Sequence, residues 1–187
     1  RKLNILISIK QSNKEVLSAD NDIVKVCKQD IERLKELSYC NERKRIRLCA
    51  HKDVDEKIHE MLIVHAKNAY VRPHKHINKI ESFHVVEGSV DVILFNEDGN
   101  IMDTIQMGDY LSGYDFYYRI SVPYYHTLII RSDVLVFHET TNGPFRRADT
   151  VFASWAPDEK DSSGQRIYMR NLNTQLDTFL SERGKDV

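Results

Sequence analysis

Apolar and polar residues alternate with a period of two through most of the chain after residue 70, and short turn signals break the alternation at regular intervals. The pattern predicts strands at Tyr70–His76, Glu81–Val86, Asp91–Asn96, Asn100–Gln106, Asp109–Ser112, Tyr117–Val122, His126–Arg131 and Val134–Thr140. Glu87-Gly88, Asp98-Gly99, Met107-Gly108, Val122-Pro123 and Ser132-Asp133 supply the turns, and Asp98-Gly99 is a strong hairpin signal. Upstream, 3–9 (LNILISI), Glu15–Leu17, Ile23–Val26, a segment starting at Arg45 and Met61–Val64 also read as strands, and Asn68-Ala69 as a turn. Between them Gln29–Ser38 places Ile31, Leu34 and Leu37 three apart, a helical stripe with Asp30 near its positive end. After Asn142-Gly143-Pro144 the pattern is irregular until Leu172–Leu180, a short helix. Many short strands with tight turns describe an all-β barrel or sandwich. The expected organisation is a strand/helix extension over 1–41, a barrel over 42–160 and a partly helical tail over 161–187.

Composition narrows the function classes. Of the 187 residues, 41% are hydrophobic and 29% charged, with a formal net charge of −1, so no basic field is present to hold nucleic acid. The one basic cluster, Arg43, Lys44, Arg45 and Arg47, reads as a solvated face or as structural arginines. No apolar run is long enough for a membrane span, and no signal-peptide pattern follows Arg1. The 3 cysteines lack CxxC spacing and read as reduced thiols, which makes the cytoplasm the expected compartment. GxSxG, Walker A and GxGxxG motifs do not occur, which argues against a serine hydrolase, an NTPase or a Rossmann dehydrogenase.

The chemistry concentrates in Tyr70–Gly88, YVRPHKHINKIESFHVVEG. On a strand, His74 and His76 point to one side, roughly 7 Å apart at about 3.3 Å per residue. Two imidazoles and the Glu81 carboxylate suit Fe, Mn, Zn, Ni or Cu. His126 is the distant residue expected to complete the set. Strand parity turns Tyr70, Arg72, Phe83, Val85 and Leu128 inward with the ligands and His84 outward. Tyr70 is then a possible acid/base and Arg72 a possible anion clamp, with Lys79 and His51 as further substrate contacts. His59 and His65 read as surface or satisfied core residues. One of His138 and Glu139 faces the interior, and Trp155 reads as a packing anchor for the C-terminal segment.

The spacing HxH, four residues, Glu, six residues, Gly resembles the first motif of the cupin superfamily. Asn68 stands where that motif has its leading glycine. His126 stands where the second motif has its histidine, although Pro123 occupies the glycine position and Ile130 the downstream asparagine position. RKRIRLCAH at 43–51, YVRPHKHINKIESFHVVEG at 70–88, YRISVPYYHT at 118–127 and TNGPFRRADTVFASWAP at 141–157 together resemble the WbuC family of cupin-fold metalloproteins. That resemblance implies a double-stranded β-helix barrel, one divalent transition metal and an association with surface-polysaccharide (O-antigen type) synthesis. It supplies no settled reaction. The expectation is an isomerase- or epimerase-like enzyme acting on a small sugar-derived or nucleotide-sugar ligand, and a homodimer joined through its N-terminal strands. An Fe(II)-dependent dioxygenase and a non-catalytic sugar-binding or regulatory cupin are the alternatives.

Overall fold

The computed structural model describes residues 9–183. It contains twelve strands: β1 (Ile9–Gln11), β2 (Val16–Ala19), β3 (Arg45–Cys49), β4 (Ile58–Ala66), β5 (His74–His76), β6 (Glu81–Glu87), β7 (Ser89–Phe95), β8 (Ile101–Gly108), β9 (Tyr117–Ile120), β10 (Tyr125–Ile130), β11 (Val134–Asn142) and β12 (Thr150–Phe152). Two helices accompany them, α1 (Lys28–Cys40) and α2 (Ser162–Arg183). The strand expected at 3–9 lies outside the described residues except for Ile9, which opens β1.

The strands form two sheets, ordered β1-β2-β3-β4-β11-β6-β9 and β12-β5-β10-β7-β8. Within them, β4-β11-β6-β9 and β5-β10-β7-β8 are four-strand groups in which consecutive strands of the chain alternate between layers, except for the β7–β8 hairpin, which stays in the smaller sheet. That order is a jelly roll, the double-stranded β-helix of cupins. The fold expectation therefore holds, with one refinement: the ladders close two separate sheets facing each other, not one continuous barrel.

Three apolar layers follow from strand parity. Between the sheets lie Met61, Ile63, Phe83, Val85, Val90, Val92, Met107, Leu128, Leu135 and Phe137. The inward parity read for Phe83, Val85 and Leu128 is what places them there. On the outer face of the larger sheet, α1 packs Leu34 against Leu17, Ile46, Leu48, Val64 and Val136. On the outer face of the smaller sheet, α2 packs Leu172 and Leu176 against Ile93, Phe95, Tyr125 and Ile129. The Asp30 carboxylate accepts the Cys27 backbone N–H at 2.8 Å and closes the start of α1. Asp161 does the same for α2, accepting the Gly164 N–H at 2.9 Å.

Several expected elements differ. Ile23–Val26 is not a strand but an extended lead into α1, whose Val24 and Val26 pack on the outer layer. Asp109–Ser112 is a turn, with Ser112 N–H donating to the Asp109 carbonyl at 2.9 Å. Strand β5 covers only the end of Tyr70–His76, because Pro73 and the link to residues 153–158 hold the preceding residues out of the ladder. The C-terminal helix begins ten residues earlier than Leu172; its first half is mostly exposed, with Tyr168 and Met169 packing on the outer layer. Gly88 has φ +93°, and a Cβ there would meet the Val134 carbonyl oxygen at 2.2 Å, so the β6–β7 corner requires glycine. Asn68 also adopts positive φ, at 68°.

Candidate metal centre

Antiparallel pairing of β5 with β10 brings the histidines together. His126 is directly opposite His74 in the β5–β10 pair. His76 follows on the same face of β5. The result is that His74, His76 and His126 each offer a ring nitrogen within 4.8 Å of the others. Ring centroids are 4.6 Å apart for His74–His126, 4.9 Å for His74–His76 and 5.7 Å for His76–His126. Among the described residues no other group of three such ligands converges in this way.

Glu81 reaches the cluster from the facing sheet. It is 5% exposed, with Oε2 3.2 Å from His76 Nε2 and Oε1 3.8 Å from His126 Nε2. Burial alone would raise its pKa, but the hydrogen bond from His76 and the fields of His126, His76 and His74 hold it below the usual carboxylate range. Burial, reinforced by His126 and His76, pushes His74 down to about 3, which keeps its imidazole neutral at physiological pH.

The other ring nitrogens are tied back. His74 Nδ1 lies 2.8 Å from the Arg72 carbonyl and His126 Nδ1 lies 3.0 Å from the Tyr124 carbonyl. A carbonyl only accepts, so each Nδ1 carries the proton and each Nε2 keeps its lone pair. His76 Nδ1 lies 3.2 Å from Thr150 Oγ1, on the strand paired with β5. Fixing the outer nitrogen in this way is how proteins orient imidazole ligands toward a metal. The donor set, three imidazoles with one adjacent carboxylate, fits a divalent transition metal.

The sequence-derived substrate contacts fare differently. The Tyr70 hydroxyl donates to the Pro157 carbonyl at 2.9 Å, and burial raises its pKa further. Arg72 is ion-paired with Asp158 at 2.8 Å, donates to the Ala153 carbonyl at 3.2 Å, and lies over the Phe152 ring. Both polar groups, expected as an acid/base and an anion clamp, make contacts that anchor residues 152–158. Their inward parity fails because they precede β5 rather than belong to it. Lys79 is at the rim, its Nζ 3.4 Å from the Asn142 carbonyl and over Phe145. His51 stacks on His59, with centroids 4.0 Å apart.

Other residues emerge that the pattern left unassigned. Tyr118 donates to Glu81 Oε1 at 3.2 Å and stacks on Phe83. Glu139, not His138, is the inward member of that pair. Burial, then the charge of Glu81, pushes its carboxyl up to about 8. His59 and His65 are buried, but each has a ring nitrogen without a partner, so neither is a satisfied core residue. Arg43 and Arg45 are structural, pairing with Glu15 and Glu159. His84 faces outward as expected. Trp155 packs on Phe95 and Tyr125 in the outer layer, an anchor for the C-terminal segment. Two clefts of about 350 and 380 Å³ lie on the outer side of the larger sheet, and neither is lined by the three histidines.

Comparison with known proteins adds a family match and several distant structural likenesses. Residues 26–107 match a family described as Domain of unknown function (DUF6016). No curated protein matches the chain. Among solved structures, the Mn(II)-containing oxalate decarboxylase of Bacillus subtilis is 19% identical with a TM-score of 0.42, over 52% of this chain and 24% of that enzyme. CapF, a capsular polysaccharide assembling protein from Staphylococcus aureus, is 20% identical with a TM-score of 0.43, over 52% and 27%. Protein SO0799 from Shewanella oneidensis is 10% identical with a TM-score of 0.46, over 57% and 72%. The chain thus spans about a quarter of the length of the first two. Among the described residues no helix is long and apolar enough to cross a membrane. The strand order and the three converging imidazoles make this chain a cupin-type jelly roll with a site able to hold a metal.

Proposed function

We propose that the chain is a metal-dependent cupin enzyme of WbuC type. His74, His76, Glu81 and His126 hold one divalent transition metal, and the ligand is a small sugar-derived molecule of surface-polysaccharide synthesis. The reaction class is an isomerisation or epimerisation. The observation that carries this reading is the set of Nδ1 tethers, which leaves the Nε2 atoms of His74 and His126 as free lone pairs beside a buried carboxylate. A bound divalent ion supplies Lewis acidity to a carbonyl or hydroxyl oxygen. This chain's own residues supply the rest. Tyr118 and Glu139, next to Glu81, replace Tyr70 as the groups positioned to give or take a proton, and Lys79 and His51 line the rim.

Metal analysis of the purified chain, followed by a screen of nucleotide sugars in D₂O, tests this. The expected result is about one metal per chain, lost in His74→Ala and His126→Ala, and deuterium appearing at a sugar carbon. Oxygen uptake with bound iron would instead make it an oxygenase, and tight sugar binding without turnover would make it a binding module. Metal content unchanged in both variants would remove the basis of the proposal. The organisation into residues 1–41, 42–160 and 161–187 and a homodimer through the N-terminal strands belong to the same proposal, and light scattering reads the dimer.

A further inference from the structure

Besides His59 and His65, the inner face of the larger sheet carries the buried Thr141 hydroxyl, which has no partner, and the half-buried Arg47 and Glu139, which form no ion pair. Register fixes where they are. Cys49, Met61, Glu139, Phe83 and Tyr118 face one another across β3, β4, β11, β6 and β9. The next row toward the histidines is His59, Thr141 and Glu81. Thr141 is therefore one strand, about 4.8 Å, from Glu81, and Glu139 is two residues, roughly 7 Å, deeper on the same face.

Thr141 is 9% exposed and its Oγ1 has no hydrogen-bond partner. Glu139 makes no hydrogen bond to any described residue. Arg47 enters from β3. Its strand neighbour Arg45 is ion-paired, yet the one polar contact of Arg47 among the described residues is a weak one, Nη1 to Met61 Sδ at 3.9 Å. That contact leans the guanidinium into the row of Met61 and Glu139. Arg47 also lies close enough to Cys49, Glu139, His65 and His51 to act on the charge of each. A buried hydroxyl without a partner is costly, and Arg47 beside it is a half-buried cation held by no carboxylate. A folded chain retains such groups together where a ligand completes them.

We propose that Arg47 and Thr141 form an anion subsite beside the Glu81 end of the metal centre, which takes the carboxylate or phosphate of the ligand, with Glu139 facing a ligand hydroxyl. The subsite gives the substrate class a charge: a hydroxylated carboxylate or phosphate ester, not a neutral sugar. It rests on the proposed metal centre only for the far end of the ligand.

The test is titration calorimetry of the full chain, metal-loaded and chelator-treated, with acetate and with inorganic phosphate. Saturable binding of one of them in the chelator-treated protein is expected, and the arm that binds identifies carboxylate or phosphate. Arg47→Met keeps the apolar stem and is expected to weaken that binding at least tenfold, with Arg47→Lys in between. Thr141→Val is expected to weaken it as well. Because both changes remove an unsatisfied group, the thermal midpoint of the ligand-free chain should stay level or rise, a readout that a structural role would reverse. Absence of saturable binding, or equal affinity in Arg47→Met, overturns the subsite and leaves the metal centre standing. Loss of metal with anion binding intact does the opposite.

Discussion

His76 differs from its two partners in how it is held. His74 and His126 are tethered by backbone carbonyls, which no substitution removes, whereas His76 depends on the Thr150 hydroxyl. Thr150→Val keeps the β-branched shape and deletes that contact. It is expected to weaken metal affinity by about 10- to 100-fold with the fold intact, read by chelator competition and circular dichroism. Tyr118→Phe tests the carboxylate side. It removes the donor to Glu81 Oε1 while keeping the stack on Phe83, and a similar loss is expected. Unchanged affinity in both would mean that the outer contacts do not orient the ligands. His74, His76 and Glu81 were legible because their chemistry is local: a period of two within one strand and a carboxylate a turn away. Tyr118, Thr150, Arg47 and Glu139 were not legible as a group. They come from four strands in two sheets: register brings Arg47, Glu139 and Tyr118 to the inner face of the larger sheet, and Thr150 reaches His76 through the β5–β12 pair of the smaller one. Parity does not carry backward through Pro73 to Tyr70 and Arg72, because the strand begins at His74.

At the scale of elements, α2 tests whether the tail is part of the fold. Leu172 and Leu176 are fully buried against Ile93, Phe95 and Ile129. Leu176→Ala is expected to cost about 2–5 kcal/mol, measured by urea unfolding, while Ile167→Ala, at 60% exposure, should cost little. Equal and small effects would mean that the helix is only loosely attached. The outer apolar stripe of α2 was readable from Leu172 onward, but its mostly exposed first half was not, because only Tyr168 and Met169 there touch the outer layer. Conversely, Ile23–Val26 alternates like a strand, yet Val24 and Val26 fill the edge of the α1 layer with no ladder partner while Ile23 faces solvent. Periodicity identifies a buried face, and the partner that makes it a strand lies elsewhere in the chain.

For the molecule as a whole, buried titratable groups set an expected pH profile. His65, T-stacked on Phe137, is lowered to about 3 by burial and then by Arg47 and Arg43, and His74 is lowered to about 3 as described. A histidine depressed in the folded state contributes fully above its unfolded pKa of about 6.5 and loses that contribution as pH falls toward 3. Each is worth about 2 kcal/mol between pH 6.5 and pH 5 on this scale. Glu139 runs the other way. Its folded pKa of about 8 lies above the unfolded value, so its contribution is present at low pH and fades as pH rises to 8. Below 6.5 two histidines oppose one glutamate and stability falls with acid; above 6.5 only the glutamate acts and stability falls with base. The chelator-treated chain should therefore be most stable near about pH 6.5. His65→Phe leaves one histidine against one glutamate and should flatten the acid limb, while Glu139→Gln should flatten the alkaline one. Urea midpoints from pH 5 to pH 8.5 decide this: a profile level in the unmodified chain, or limbs unmoved by the two substitutions, would show that these side chains are solvated and that the space between the sheets is wet.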